Sequence, residues 1–303
     1  MWVGAAFLSA LLLGLYDVAK KRSLAGNAVV VVLWLNTLFS TLIFLPLILG
    51  LEIPVSFLNA DVVSVARGEL NDHLLVVLKA AITLSSWLCG YYAIKHLPLT
   101  IVGPVNATRP VVVLVGALLL FGERLNLWQW GGVLLTLVSL YLLSRAGKRE
   151  SIDFRENRYV WALFMAMLLG AASGLYDKFL ISSCGLAPLF VQSWFGLYQL
   201  AMMTLIAAVV WFPRRASEHF VWRWTIPLIS IFVSCADFCY YHALDADGSM
   251  IAIVSMIRRS SVVVTFICGA LLFGERNLKA KALDMLLILI GMVLLAIGSI
   301  YKS

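Results

Sequence analysis

Ten apolar runs divide the chain, at 2–19, 28–50, 74–95, 99–121, 127–144, 159–180, 188–211, 225–244, 249–273 and 281–300. Crossing the hydrocarbon of a bilayer takes a helix of roughly 20 apolar residues, so each run is predicted to be a transmembrane helix. Polar residues gather between the runs. Most connections are short and two are longer: 51–73, with Glu52, Asp61, Arg67, Glu69 and Asp72, and 145–158, with Arg145, Lys148, Arg149, Arg155 and Arg158. The second lies midway and reads as the hinge between two halves.

The halves repeat each other. Gly14-Leu15-Tyr16-Asp17 recurs as Gly174-Leu175-Tyr176-Asp177, and Leu119-Leu120-Phe121-Gly122-Glu123-Arg124 recurs as Leu271-Leu272-Phe273-Gly274-Glu275-Arg276. Tyr91-Tyr92 with Arg109 downstream echoes Tyr240-Tyr241 with Arg258 at the same spacing. Each half holds five runs, and an odd number makes the second half enter the membrane from the opposite side. The predicted fold is an all-α membrane protein of ten transmembrane helices, in two inverted five-helix repeats: residues 1–144, a basic linker 145–158, and residues 159–303. Inverted repeats surround a pseudo-two-fold axis and place a site near the bilayer midplane.

Composition agrees. Residues are 62% hydrophobic and 13% charged, against roughly 45–50% and about 25% in soluble domains, so lipid is the expected solvent. A net charge of +7 would suit a polyanion, but Lys and Arg mostly flank the runs, as membrane orientation requires, and no nucleic-acid motif is present. Cys89, Cys184, Cys235, Cys239 and Cys268 read as small buried hydrophobes. Cys235 and Cys239 share a helix face, without the His or second Cys pair that a metal site needs. The first run has the length of a signal peptide but no basic leader or small-residue cleavage site, and is expected to be kept as a span.

Basic loop residues are skewed to one side: Lys20, Lys21, Arg22, Lys95, the 145–158 cluster, Arg214, Arg215, Arg223, Arg276, Lys279 and Lys281, against little beyond Arg67, Arg124 and Lys302. The positive-inside rule then places both termini outside. An even span count in any case puts both on one side.

A charge at bilayer depth costs from about 2.5 kcal/mol upward, so it faces a cavity or a partner. Asp17 and Asp177 stand first, each preceded by Tyr (Tyr16 and Tyr176) in the repeated motif. They suit a proton or a substrate ammonium; the alternative is ion pairing, Asp17 with Lys20 and Asp177 with Lys178 or a neighbouring helix. Arg109, which shares a face with Asn106 between Pro104 and Pro110, and Arg258 and Arg259 lie mid-run. Their planar, permanently charged forks match a carboxylate or phosphate, unless they lock helices together by pairing with Asp17, Asp177 or Asp237. Asp237 shares one helical face with Ser230, Ser234 and Tyr241 and is a candidate proton site or a partner of Arg258 or Arg259. The matching stripe on the third run is Lys79, Thr83, Ser86 and Gly90, beside Trp87 and Tyr91; Lys79 is expected to snorkel to the interface.

Gln192, Gly196 and Gln199 align beside Trp194, and Asn36 aligns with Ser40 beside Trp34; such groups orient a ligand or bridge helices. Trp34, Trp87 and Trp194 are candidates for substrate contact. Trp2, Trp128, Trp130, Trp161, Trp211, Trp222 and Trp224 lie at run ends and read as an interfacial belt. Asn106-Ala107-Thr108 fits a glycosylation sequon but lies inside a run. Glu123 and Glu275 read as turn residues. No catalytic constellation, phosphate loop or metal cluster is present, and neither enzymatic activity nor a cofactor is expected.

With its two Gly-Glu-Arg turns, each closing a run before a shorter final run, and with Gly14, Asp17 and Lys20 spaced along the first run, the chain resembles the drug/metabolite transporter superfamily, in its ten-span EamA-type branch. The resemblance covers essentially the whole chain. It implies a basket of two inverted repeats that moves small metabolites, commonly as efflux, with termini in the cytoplasm, which disagrees with the charge count. The expected function is secondary active transport of an amino-acid-like, zwitterionic or anionic metabolite across a bacterial inner (plasma) membrane. Protons are the expected coupling ion, and the expected state is a monomer or homodimer. Exchange of phosphorylated or nucleotide-linked anions is the alternative, and a non-transporting scaffold or lipid-handling protein is the second.

Overall fold

The computed structural model describes residues 2–49, 53–55, 60–63, 68–112, 126–148, 152, 154–180, 184–214, 220–245, 257–275 and 277–300. In lipid every backbone N–H and C=O must find a partner within the chain, which favours helices. Ten α-helices stand among the described residues: α1 (Trp2–Leu24), α2 (Val29–Ile48), α3 (Leu70–His96), α4 (Leu99–Ala107), α5 (Leu127–Lys148), α6 (Arg158–Lys178), α7 (Pro188–Ile206), α8 (Thr225–Asp245), α9 (Ser261–Phe273) and α10 (Leu278–Ile300). Seven helical segments are long and apolar enough to cross a membrane. The fold is all-α, as expected, and the 51–73 connection adds a short two-stranded antiparallel ribbon, β1 (Ile53–Val55) and β2 (Ala60–Val63).

α4 and α9 are short because their runs break. Pro110 has no N–H to offer residue 106, and the chain turns at Thr108, whose hydroxyl donates to the Val105 carbonyl at 2.7 Å. Ser260 makes the matching turn before α9, its hydroxyl donating to the Ile257 carbonyl at 2.6 Å.

The packing pairs include α1 with α8, α3 with α6, α2 with α7, α5 with α10, and α4 with α9. Exchanging the first five helices for the last five returns this same set. Hydroxyls bridge four of the pairs by donating to carbonyls: Ser9 to Ala236, Ser86 to Ala166, Thr41 to Gly196 and Ser139 to Asp284, at 2.6–2.9 Å. Interhelical hydrogen bonds and close backbone approach take over where lipid removes the hydrophobic drive between helices. At the α5–α10 crossing a Cβ on Gly132 would come within 2.7 Å of the Gly291 carbonyl oxygen. The outer faces are apolar: Leu134, Leu137, Val138 and Tyr141 form an exposed stripe on α5 at helical spacing. Trp128, Trp130, Trp161, Trp222 and Trp224 are exposed near helix starts, as expected of a belt.

Several basic residues counted as loop charges are used inside the protein. α1 continues past residue 19 to Leu24. Lys20 is buried, and Lys21 Nζ donates to the Ile94 and Leu97 carbonyls at 2.7 and 2.5 Å. Lys95 Nζ donates to the Asn27 carbonyl at 2.9 Å. Lys281 is fully buried on α10 and donates to Thr100 Oγ1 at 2.9 Å. These charges find partners inside the protein, so the loop count overstates what faces the headgroups. Cys184 and Cys235 are exposed and Cys89, Cys239 and Cys268 partly buried, contrary to the expectation of burial.

The second Gly-Glu-Arg turn does more than reverse the chain. Gly274 adopts the left-handed conformation at φ +59° that ends α9. Glu275 then accepts from the Leu99 and Thr100 N–H groups at 2.6 and 2.8 Å, capping α4 from the other half. Glu275→Ala is expected to cost about 2 kcal/mol, the scale of hydrogen bonds to a charged group. Glu275→Gln, which keeps one acceptor, is expected to cost less in the same mixed-micelle unfolding measurement. Glu123, in the first copy, lies outside the described residues.

Candidate functional site

The helix breaks present arginines. Arg109 opens the helical piece after Thr108, and Arg259 closes the piece before Ser260. Both line one cavity of about 180 Å³. Its walls come from both halves: Tyr16, Asp17 and Lys20 of α1, Trp87 and Tyr91 of α3, Asn106 of α4, then Ala166 of α6 and Thr265 of α9. Lys20 Nζ lies 2.8 Å from Asp17 Oδ1, 3.9 Å from the centre of the Tyr16 ring and 5.4 Å from that of Tyr91. Thr265 Oγ1 stands 3.4 Å from Asp17 Oδ2.

Arg109 owes its position to a missing side chain. A Cβ on Gly170 would lie 2.6 Å from the Arg109 Cζ, so α6 offers bare backbone under the guanidinium. The buried Arg109 Nε meets no acceptor among the described residues. Neither Arg109 nor Arg259 has a carboxylate within ion-pair distance among them.

A second cavity, of about 260 Å³, shares the Trp87 wall with the first. Lys79, Asp177, Gln192, Gln199, Asp237 and Arg258 line it, and its charges are paired. Lys79 Nζ is 2.5 Å from Asp177 Oδ1, joining α3 to α6, and Arg258 forms an ion pair with Asp237 while lying 4.3 Å from the Tyr240 ring centre. Lys79 therefore does not snorkel outward. It is buried because α6 brings a carboxylate within reach.

Of the residues singled out in the sequence, Asp17, Lys20, Tyr91, Asn106, Arg109 and Arg259 meet at the first cavity and Asp177, Gln192, Asp237 and Arg258 at the second, with Trp87 between. Four others are engaged elsewhere. Trp34 Nε1 donates to Thr204 Oγ1 at 3.0 Å, and Asn36 Oδ1 accepts from Ser230 at 2.8 Å. Tyr176 donates to the Leu75 carbonyl at 3.3 Å, and Trp194 packs against His73 with ring centres 4.7 Å apart. The Tyr241 side chain lies outside the described residues. Sequence reasoning missed Thr265, and Tyr16 and Lys79 as lining groups. Tyr16 was signalled by its place in the repeated motif, and Lys79 by its stripe with Thr83 and Ser86.

No curated protein matches the chain. Among solved structures, the crystal structure of one protein covers 97% of this chain and 96% of its own length, at 16% identity and a TM-score of 0.62; that likeness concerns the fold alone. Residues 1–145 match the EamA-like transporter family. That family lies within the drug/metabolite transporter superfamily, and the match covers the first half of the chain.

Proposed function

We propose that the chain is a secondary transporter working by alternating access, whose two inverted five-helix repeats cross the membrane ten times and hold a small metabolite by an anionic group between them. The observation that carries this reading is the pair Arg109 and Arg259, lining a cavity between the halves with no carboxylate partner among the described residues. A scaffold would need its interior charges matched, and among the described residues these two arginines are not. The repeated motifs and the exchange-invariant helix pairs support the inverted arrangement. Asp17, Asp177 and Asp237 each hold a basic residue that protonation would release, which gives protons a route to drive efflux across an inner membrane. Exchange of one anion for another is the second reading, favoured by the surplus of cations in the first cavity.

The test uses proteoliposomes loaded with a mixture of amino acids, organic acids and sugar phosphates, with release followed by mass spectrometry. Acids are expected to leave first, and Arg109→Gln to slow their release at least about tenfold, the factor that corresponds to losing one modest charged contact. Release driven by a pH gradient alone supports proton coupling; release that needs an external anion supports exchange. If nothing leaves faster than from protein-free vesicles, the transport reading fails.

A further inference from the structure

The charge balance of the first cavity narrows the ligand further. The chain has 16 acidic residues, and those within the apolar helices, away from the connections, are Asp17, Asp177, Asp237 and Asp284. Asp177 is taken by Lys79 and Asp237 by Arg258, while Asp284 is buried on α10 and lines neither cavity. Asp17 alone remains, and Lys20 holds it at 2.8 Å. Three cations (Lys20, Arg109 and Arg259) against one anion (Asp17) leave an excess of two positive charges on the described lining of this cavity. Buried like charges without partners are strongly disfavoured.

A zwitterion brings no net charge, and its ammonium would have to take Asp17 from Lys20. A monoanion leaves one guanidinium unmatched. We infer that the site is built for a compact dianion, a dicarboxylate or a phosphate monoester, with the forks of Arg109 and Arg259 answering its two charges. The Tyr91 hydroxyl, buried at 1% exposure beside Tyr16 in the lining of this cavity, supplies a further hydrogen bond. At about 180 Å³ this cavity takes a skeleton of a few carbons and not a nucleotide-linked anion. The inference rests on the anion-binding reading proposed above.

Four probes separate the cases in a thermal-stabilisation titration of the purified full chain at pH 7.5. Succinate, butyrate and 4-aminobutyrate share a four-carbon skeleton and differ in charge. Glycerol 3-phosphate, whose second phosphate pKa is about 6, distinguishes a phosphate site from a dicarboxylate site. At least one dianion is expected to bind about tenfold or more tighter than butyrate, with no stabilisation by 4-aminobutyrate. Arg259→Gln is expected to bring the preferred dianion and butyrate to within about threefold of each other. Arg259→Lys, which keeps the charge and guards against a mere folding defect, is expected to retain the dianion preference. Butyrate or 4-aminobutyrate binding as tightly as the dianions, or an unchanged preference in Arg259→Gln, overturns the dianion inference and leaves an anion site standing. No stabilisation by any of the four overturns the anion site itself.

Discussion

Asp17→Asn is expected to destabilise the protein by about 3–5 kcal/mol, the cost of removing one partner from a buried ion pair. The reason lies in what remains. Lys20 is buried, its 2.8 Å contact with Asp17 is lost, and the rings of Tyr16 and Tyr91 offer only a cation–π attraction of about 2 kcal/mol when desolvated. The double replacement Asp17→Asn with Lys20→Met removes the stranded charge as well and is expected to recover most of the loss. Unfolding in mixed micelles measures both. A single variant as stable as the parent would mean that water reaches Lys20 and that the pair is not a buried one.

Gly170→Ala should leave the fold close to intact and cut transport or anion binding about a hundredfold, the scale on which an ångström of misplacement acts. The added Cβ would sit 2.6 Å from the Arg109 guanidinium carbon, and the far end of a flexible side chain moves before a helix does. The guanidinium is displaced without any change in charge. Gly174→Ala is the control on the same helix: a Cβ there meets nothing within 4 Å, and no effect is expected. Equal activity in the two variants would show that the position of Arg109 does not matter to the ligand.

Much of the fold was legible because lipid leaves the backbone few choices. The apolar run at 225–244 became α8 almost residue for residue, and the run at 127–144 became α5, which starts at Leu127 as expected and runs on to Lys148. Helix ends were less legible. α1 runs on to Leu24 because Lys20 and Lys21 find partners inside the protein, and charge alone does not show whether a lysine faces headgroups or a carbonyl. Among site residues, every charged candidate came to a cavity, whereas the neutral ones divided: Trp87, Tyr91, Asn106 and Gln192 line the cavities and others do not. Asp17, Arg109, Asp237 and Arg259 came to cavities because a charge in hydrocarbon needs a cavity or a counter-charge. Asn36, Trp34 and Tyr176 had another outlet, since each makes a hydrogen bond to a neighbouring helix.

The order of residues by itself determined that this is a membrane-embedded bundle of helices, that its halves repeat a common frame, and which few charges must be buried. These follow from hydropathy, length and spacing, which are properties of the chain read end to end. Only the tertiary structure decided which buried charges neutralise each other. Lys79 met Asp177 and Arg258 met Asp237, while Gly170 cleared a place for Arg109 where no acid reaches among the described residues. Pairing depends on the few ångströms between neighbouring helices, which packing sets after the sequence has specified the helices themselves.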